Sequence, residues 1–198
     1  MKDMLGFADS ATYTFRLGSD VSLAAASGFF VPYFKGTFDG ASHLITGLNI
    51  SQSYNSSIGL FGTLAPGATV TNTSVSGGSV AGSQSVGGLV GYNNGGTVSN
   101  NSASASVAGS GSYIGGLVGY NNGGVVGNSS ASATVTAASY GYVGGLVGWN
   151  NGGIVSSSYA TGAVTGSYST GGLVGQNSNS GTLSNSYSTG SVTAGSGY

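Results

Sequence analysis

The chain has 198 residues, 40 of them glycine, no cysteine, only 4% charged residues and a formal net charge of −1. Without cysteine there is no disulfide and no thiolate metal site. Without a basic patch there is no electrostatic footprint for nucleic acid or anionic lipid, and no apolar run is long enough to span a bilayer, so direct membrane insertion is excluded too.

The few ionisable acids and bases are segregated. Lys2, Asp3, Asp9, Arg16, Asp20, Lys35, Asp39 and His43 all precede residue 44, and from Leu44 to Tyr198 there are none. The surface of that long stretch is wetted by Ser, Thr, Asn and backbone groups, without the net charge that keeps copies apart, so association by stacking is expected. Met1 to Ser10 hold no apolar run of signal-peptide length, and the sequence reads as a piece of a longer exported chain.

Residues 1–57 read as an N-terminal cap with the first irregular coils. Thr12 to Leu17 and Val21 to Leu23 alternate as strands do, with a turn at Gly18-Ser19-Asp20. Phe29-Phe30-Val31 leads into Pro32, which cannot donate to a strand ladder and is expected at a strand end. Glycines then punctuate short strands from Phe34 to Gly40 and from His43 to Ile50.

Residues 58–198 are repeats, starting near 58, 87, 115, 144 and 171. Gly-Gly-Leu-Val-Gly-aromatic-Asn-Asn-Gly-Gly stands in full at Gly87 to Gly96, Gly115 to Gly124 and Gly144 to Gly153, with a degraded copy at Gly171 and an earlier variant at Ile58 to Gly62. The second glycine marks the phase at Gly59, Gly88, Gly116, Gly145 and Gly172, a period of about 28 residues that means a repeat architecture. Strict phase excludes a disordered Gly/Ser linker, and the few large apolar residues of one unit must be buried by its neighbours.

Each unit reads as a strand at Leu-Val-Gly-aromatic, a tight turn at Asn-Asn-Gly-Gly, a second strand around Val98 and its equivalents, and a third through Val107, Val135, Val164 and Val192. Asn-Gly is a strong hairpin signal, but the small residues Ser102 to Ala105 suit the close corners of a coil rather than a hairpin of bulky cross-strand pairs. The predicted fold is therefore all-β, a parallel β-solenoid. Leu89, Leu117, Leu146 and Leu173 form a core column, Tyr92, Tyr120 and Trp149 a binding or stacking column, and Asn93, Asn121, Asn150 and Asn177 an amide ladder. The last residues, Ser191 to Tyr198, match the segment before a next repeat, so an uncapped edge is expected there, one that further coils or a second subunit would cover.

Gly-Gly-Leu-Val-Gly with its Gly/Asn turn and Ser-rich strand resembles the GLUG repeat of large bacterial surface proteins, including filamentous-haemagglutinin-like adhesins. The run from Tyr13 through Pro32 to Gly40 is similar to what precedes such repeats. The resemblance implies a right-handed β-helix on the outside of the cell, in a secreted or surface adhesin. Similar repeats accompany surface peptidases as accessory segments. Gln176 to Gly181 departs from the aromatic and Asn-Asn-Gly-Gly pattern.

Catalysis finds little support in the residues. Cleavage of a polysaccharide needs carboxylates and a basic residue within reach of one bond, and only Arg16, Asp20, Lys35, Asp39 and His43 are on offer, all before the repeats. Asp39 reads as a turn former at Asp39-Gly40 and His43 as a structural residue. Calcium binding of the β-roll kind needs an Asp in each repeat, which is absent, and no cofactor is expected. Stacked rings with flanking asparagines could receive sugar faces, or could join coil to coil. Tyr113, Tyr140, Tyr142 and Tyr168 form a looser second aromatic set. Thr71-x-Thr73 and Thr134-x-Thr136 do not recur as an ice-binding array requires, and the sequons at Asn49, Asn55, Asn72, Asn100 and Asn128 are no more than this Ser-rich composition produces. The functional expectation is a structural and adhesive extracellular segment that attaches to cells or glycans. The alternatives are a filament subunit that self-associates through its ends and a non-catalytic accessory module of a surface peptidase or glycan-degrading enzyme.

Overall fold

A computed structural model describes residues 6–138 and 141–195; Tyr140 of the second aromatic set lies outside them. The chain winds as a parallel β-solenoid with four sheets running along its length, and every pairing between named strands is parallel.

One sheet, the tyrosine sheet, stacks Val31–Phe34, Phe61–Leu64, Val90–Asn94, Val118–Asn122, Val147–Asn151 and Val174–Ser178. A valine sheet stacks seven strands, from Thr14–Arg16 through Thr97–Ser99 to Thr182–Ser184. A serine sheet holds the long strands Leu44–Gln52 and Ser74–Gly82. In later coils it divides into pairs such as Ser102–Ala103 and Ser106–Gly109. A short sheet of Val86–Gly87, Ile114–Gly115, Tyr142–Gly144 and Ser169–Gly171 completes the circuit.

Register follows the sequence phase. Val90 pairs with Val118, Tyr92 with Tyr120 and Asn93 with Asn121, and the next coil continues with Val147, Trp149 and Asn150. The first residues already obey it, since Thr14, Phe15 and Arg16 pair with Thr37, Phe38 and Asp39. Thr12 to Leu23 thus contributes rungs to two different sheets. Pro32 lies inside its strand rather than at the end of it. That strand is the outer edge of the tyrosine sheet, where a missing N–H breaks no ladder.

The Asn-Asn pair likewise belongs to the strand and not to the turn. The corner is made by Gly95, Gly123 and Gly152, at φ of 75°, 65° and 65°, and by the glycine after each. At the opposite corner, between valine and serine sheets, a non-glycine residue takes the left-handed conformation in five successive coils: Asn72, Asn100, Asn128, Ser157 and Asn185, with φ between 48° and 57°. Asparagine tolerates that region best among residues with a side chain. Three of the sequons are therefore corner residues.

Interior packing changes along the axis. The first coils are filled by phenylalanine, with Phe34, Phe38 and Phe61 buried and ring centroids 5.1 Å and 5.2 Å apart. Later coils use Leu89, Leu117 and Leu146, all fully buried, with Leu173 nearly so, alongside valine and alanine. The smaller filling follows from the glycines. A Cβ on Gly116 would lie 2.1 Å from the Gly145 carbonyl oxygen and 2.9 Å from the Ala131 Cβ, and Gly88 and Gly145 are hemmed in the same way. Backbone here passes against backbone, with only an alanine methyl between short sheet and serine sheet.

Gly116→Ala is expected to lower stability by about 2 kcal/mol or more, because the obstructing atoms are backbone and cannot swing aside. Gly127→Ala, whose nearest obstacle is the Ser156 hydroxyl at 3.6 Å, serves as the near-neutral control. Denaturant unfolding of the two variants checks both values.

Candidate functional site

The tyrosine sheet alternates, so one asparagine of each pair points inward while the aromatic residue and the other asparagine point outward. Inside, Asn93 Nδ2 donates to Asn121 Oδ1 at 2.8 Å, Asn121 Nδ2 to Asn150 Oδ1 at 2.7 Å, and Asn150 Nδ2 to Asn177 Oδ1 at 2.7 Å. The second proton of each of these amides reaches the carbonyl of the turn, on Gly96, Gly124 and Gly153, and Gly96 N returns a bond to Asn93 Oδ1. Asn93, Asn121 and Asn150 are fully buried. A buried amide is tolerable because both protons and the oxygen are engaged.

Outside runs a second ladder that sequence reading missed. Asn122 Nδ2 donates to Asn94 Oδ1 and to the Tyr92 hydroxyl, and Asn151 Nδ2 to Asn122 Oδ1 and the Tyr120 hydroxyl, at 2.8–3.2 Å. Asn179 Nδ2 continues it to Asn151 Oδ1. The signal was the second Asn of each pair, which the sequence pattern assigns to a turn. Tyr92 and Tyr120 stack at 4.9 Å and 18°, and Tyr120 and Trp149 at 4.6 Å and 7°, so these rings turn their faces to one another. Trp149 Nε1 donates to Ser178 Oγ at 2.8 Å, where the column passes to Gln176. Burial pushes the Tyr120 hydroxyl above its ordinary pKa, against the bond from Asn151.

Beside this column lies a second one. Tyr113 and Tyr142 sit one strand position before Ile114 and Val143, which pair in the short sheet. Their rings lean on the first column, with Tyr113 5.0 Å from Trp149 and 5.2 Å from Tyr120, and Tyr142 5.6 Å from Trp149. Tyr168 follows at 6.3 Å from Tyr142. Tyr113 has φ of 66°, in the left-handed region that costs an L-residue roughly 1–2 kcal/mol. One coil earlier, Ser85 takes the same conformation. Ser112, Tyr113, Gly141, Tyr142 and Tyr168 line an open hollow of about 210 Å³.

The ionisable residues form local pairs in the first coils. Asp39 accepts from Asn72 Nδ2 and Ala41 N at 2.9 Å each, and lies 3.3 Å from Arg16 Nε. The bond from Asn72 leads in holding its carboxyl below the ordinary aspartate value, with the Ala41 bond and Arg16 adding to it. Asp20 accepts from Leu44 N at 3.0 Å and meets His43 Nδ1 at 3.1 Å, and the Leu44 bond leads in lowering its pKa. Lys35 pairs with Asp9 at 3.0 Å. Among the described residues no cluster of three His, Asp or Glu is placed to hold a metal ion.

These features can be set against known proteins. The GLUG motif matches residues 110–136, 139–165 and 166–193, so the later coils are GLUG repeats on a β-solenoid. Among solved structures, the chain is similar to a Bacteroides ovatus protein provisionally described as an immunoglobulin A1 protease. The identity is 25%, the TM-score 0.78, and the match covers 98% of this chain and 64% of that one. The present chain thus spans less than two thirds of the length of that solved chain. No curated protein matches in sequence.

Asn121→Ala removes a central rung and strips Asn150 Oδ1 and Asn93 Nδ2 of their ladder partners, with an expected loss of about 3 kcal/mol. Asn122→Ala, on the half-exposed outer ladder, is expected to cost about 1 kcal/mol, and equilibrium unfolding separates the two. Because the folded-state pKa of Asp39 is depressed, its contribution to stability is complete above the ordinary value of 3.8 and lost as pH falls through the folded value. Carboxyl NMR titration is expected to place Asp39 below 3.8 and to find it raised in Asn72→Ala.

Proposed function

We propose that this chain is a non-catalytic segment of a larger extracellular protein, one that carries an attachment face for cells or glycans on a stiff stack of coils. The observation that carries the reading is the tyrosine sheet and its flank. Two aromatic columns and an outer asparagine ladder lie side by side over successive coils, held in register by a buried amide ladder. Repetition at fixed spacing lets weak contacts add as avidity.

The likeness to a protein described as an immunoglobulin A1 protease, together with the GLUG repeats, supports an accessory place beside a peptidase, and the repeated aromatic and amide columns suit a place in an adhesin. Both are surface settings in which a rigid module holds the parent against its target. Bond cleavage needs an activated nucleophile, a general base or a metal, and no Asp, Glu, His, Lys or Arg occurs from Leu44 onward. The chemistry of a parent enzyme would lie in other segments.

Fluorescently labelled chain applied to epithelial cells and to mucin-coated surfaces is expected to attach saturably, and the chain alone to leave immunoglobulin A1 intact. Cleavage by the chain alone would overturn the non-catalytic reading. Absence of attachment to either surface would overturn the adhesive one.

A further inference from the structure

The rings of Tyr92, Tyr120 and Trp149 are stacked nearly parallel, which leaves little ring face for a ligand within the column. The rings beside them are arranged differently. Tyr113, Tyr142 and Tyr168 are tilted by 31° and 37° from one to the next, and the hollow of about 210 Å³ opens among them. We infer that this hollow is a binding site for a neutral saccharide, taking a sugar ring against the tyrosine faces. The inference rests on the attachment reading above and moves the contact from the stacked column to its flank.

Three independent observations lead there. The first is shape and surface: an open hollow lined, among the described residues, by the phenolic side chains of Tyr113, Tyr142 and Tyr168, each an apolar face with a hydroxyl, suits a ligand with apolar C–H faces and a fringe of hydroxyls. The second is charge. A carboxylated or sulfated ligand would lose hydration on entry, and residues 44–198 hold no cation to compensate it. The third is placement. Tyr113 sets a large ring on a left-handed corner position that the two preceding coils fill with Ser57 and Ser85, so the aromatic flank begins where the hollow does. An extended peptide is the less suitable occupant. Beside the hollow, Ser112 O and Tyr113 O already accept from Ser85 N and Val86 N of the neighbouring coil, so this stretch offers no free strand edge to augment.

Trp149, the sole tryptophan, lies 5.0 Å from Tyr113 at a tilt of 34° and 5.6 Å from Tyr142, and so reports on the hollow. The 198-residue chain is titrated with cellohexaose, maltohexaose, mannohexaose and N-acetylchitohexaose, and with heparin and polygalacturonate as anionic counterparts. At least one neutral oligosaccharide is expected to shift Trp149 emission saturably, with a dissociation constant on the order of 0.1–1 mM, as befits one shallow subsite. Calorimetry is then repeated with Tyr142→Ala and Tyr168→Ala, each checked for an unchanged unfolding transition. Each is expected to weaken binding about tenfold. Tyr187→Ala, in the separate stacked pair with Tyr159 on the serine sheet, is expected to leave it unchanged. Equal binding of the anionic polymers, or indifference to both hollow variants, would overturn the inference. A chain that attaches to cells while its emission ignores every neutral oligosaccharide overturns the saccharide site alone; one that does neither overturns the attachment reading beneath it as well.

Discussion

Everything in this molecule depends on how closely one coil can approach the next at Gly-Gly-Leu-Val-Gly. At Gly88 and Gly91, and at their equivalents one and two coils on, an added Cβ would fall within 2.6 Å of backbone atoms of another segment, and at Gly87, Gly115 and Gly144 it would fall 2.0–2.2 Å from the carbonyl oxygen three residues on in the same segment. No side chain larger than hydrogen fits, so the motif is a steric requirement before it is a signature. The close approach sets a small interior, and the small interior selects leucine and valine on one side and the methyls of Ala103, Ala131 and Ala160 on the other. A coil this thin buries few large side chains, and its stability is held jointly with its neighbours.

Polar groups inside so narrow a section would be costly if left unpaired. Translation along the axis removes the difficulty, because an amide has a donor on one side and an acceptor on the other. Asn93, Asn121 and Asn150 each give to the next coil and each also bond the turn beside them. The valine–serine corner uses the same device with other groups. Asn101 Oδ1 accepts from Thr73 N, and the hydroxyls of Ser129 and Ser158 accept from Asn101 N and Ser129 N, while bonding carbonyls of their own coils. Such ladders fix register as well as satisfying bonds, since a slip by one residue would bury unpaired groups in every coil.

With register fixed, the outer surface becomes a set of columns, and each column has its own chemistry. The serine sheet presents short hydroxyls and methyls and, in its last coils, the stacked rings of Tyr159 and Tyr187. The tyrosine sheet and the corner before it present rings and amides. Charge is confined to the first coils, where Asp39 holds its turn through the bond from Ala41 and Asp20 joins its coil to the next through the bond from Leu44. That segregation leaves the aromatic flank dependent on shape, stacking and neutral hydrogen bonds.

The sequence by itself determined the period, the all-β parallel stack and the phase of each column, because equivalent residues of a solenoid lie above one another whatever the exact path of the coil. Leucine at 89, 117 and 146 and asparagine at 93, 121 and 150 needed only that rule. Contacts across a corner needed more. That Asn94 and Asn122 extend a strand, that the sequon asparagines at 72, 100 and 128 are left-handed corner residues, and that Tyr113 lies against Trp149 all depend on corner angles. A repeat distance carries no information about those angles. They are set by which residue in each coil takes positive φ and by how closely the glycines let the backbones meet, and only the assembled coil decides both.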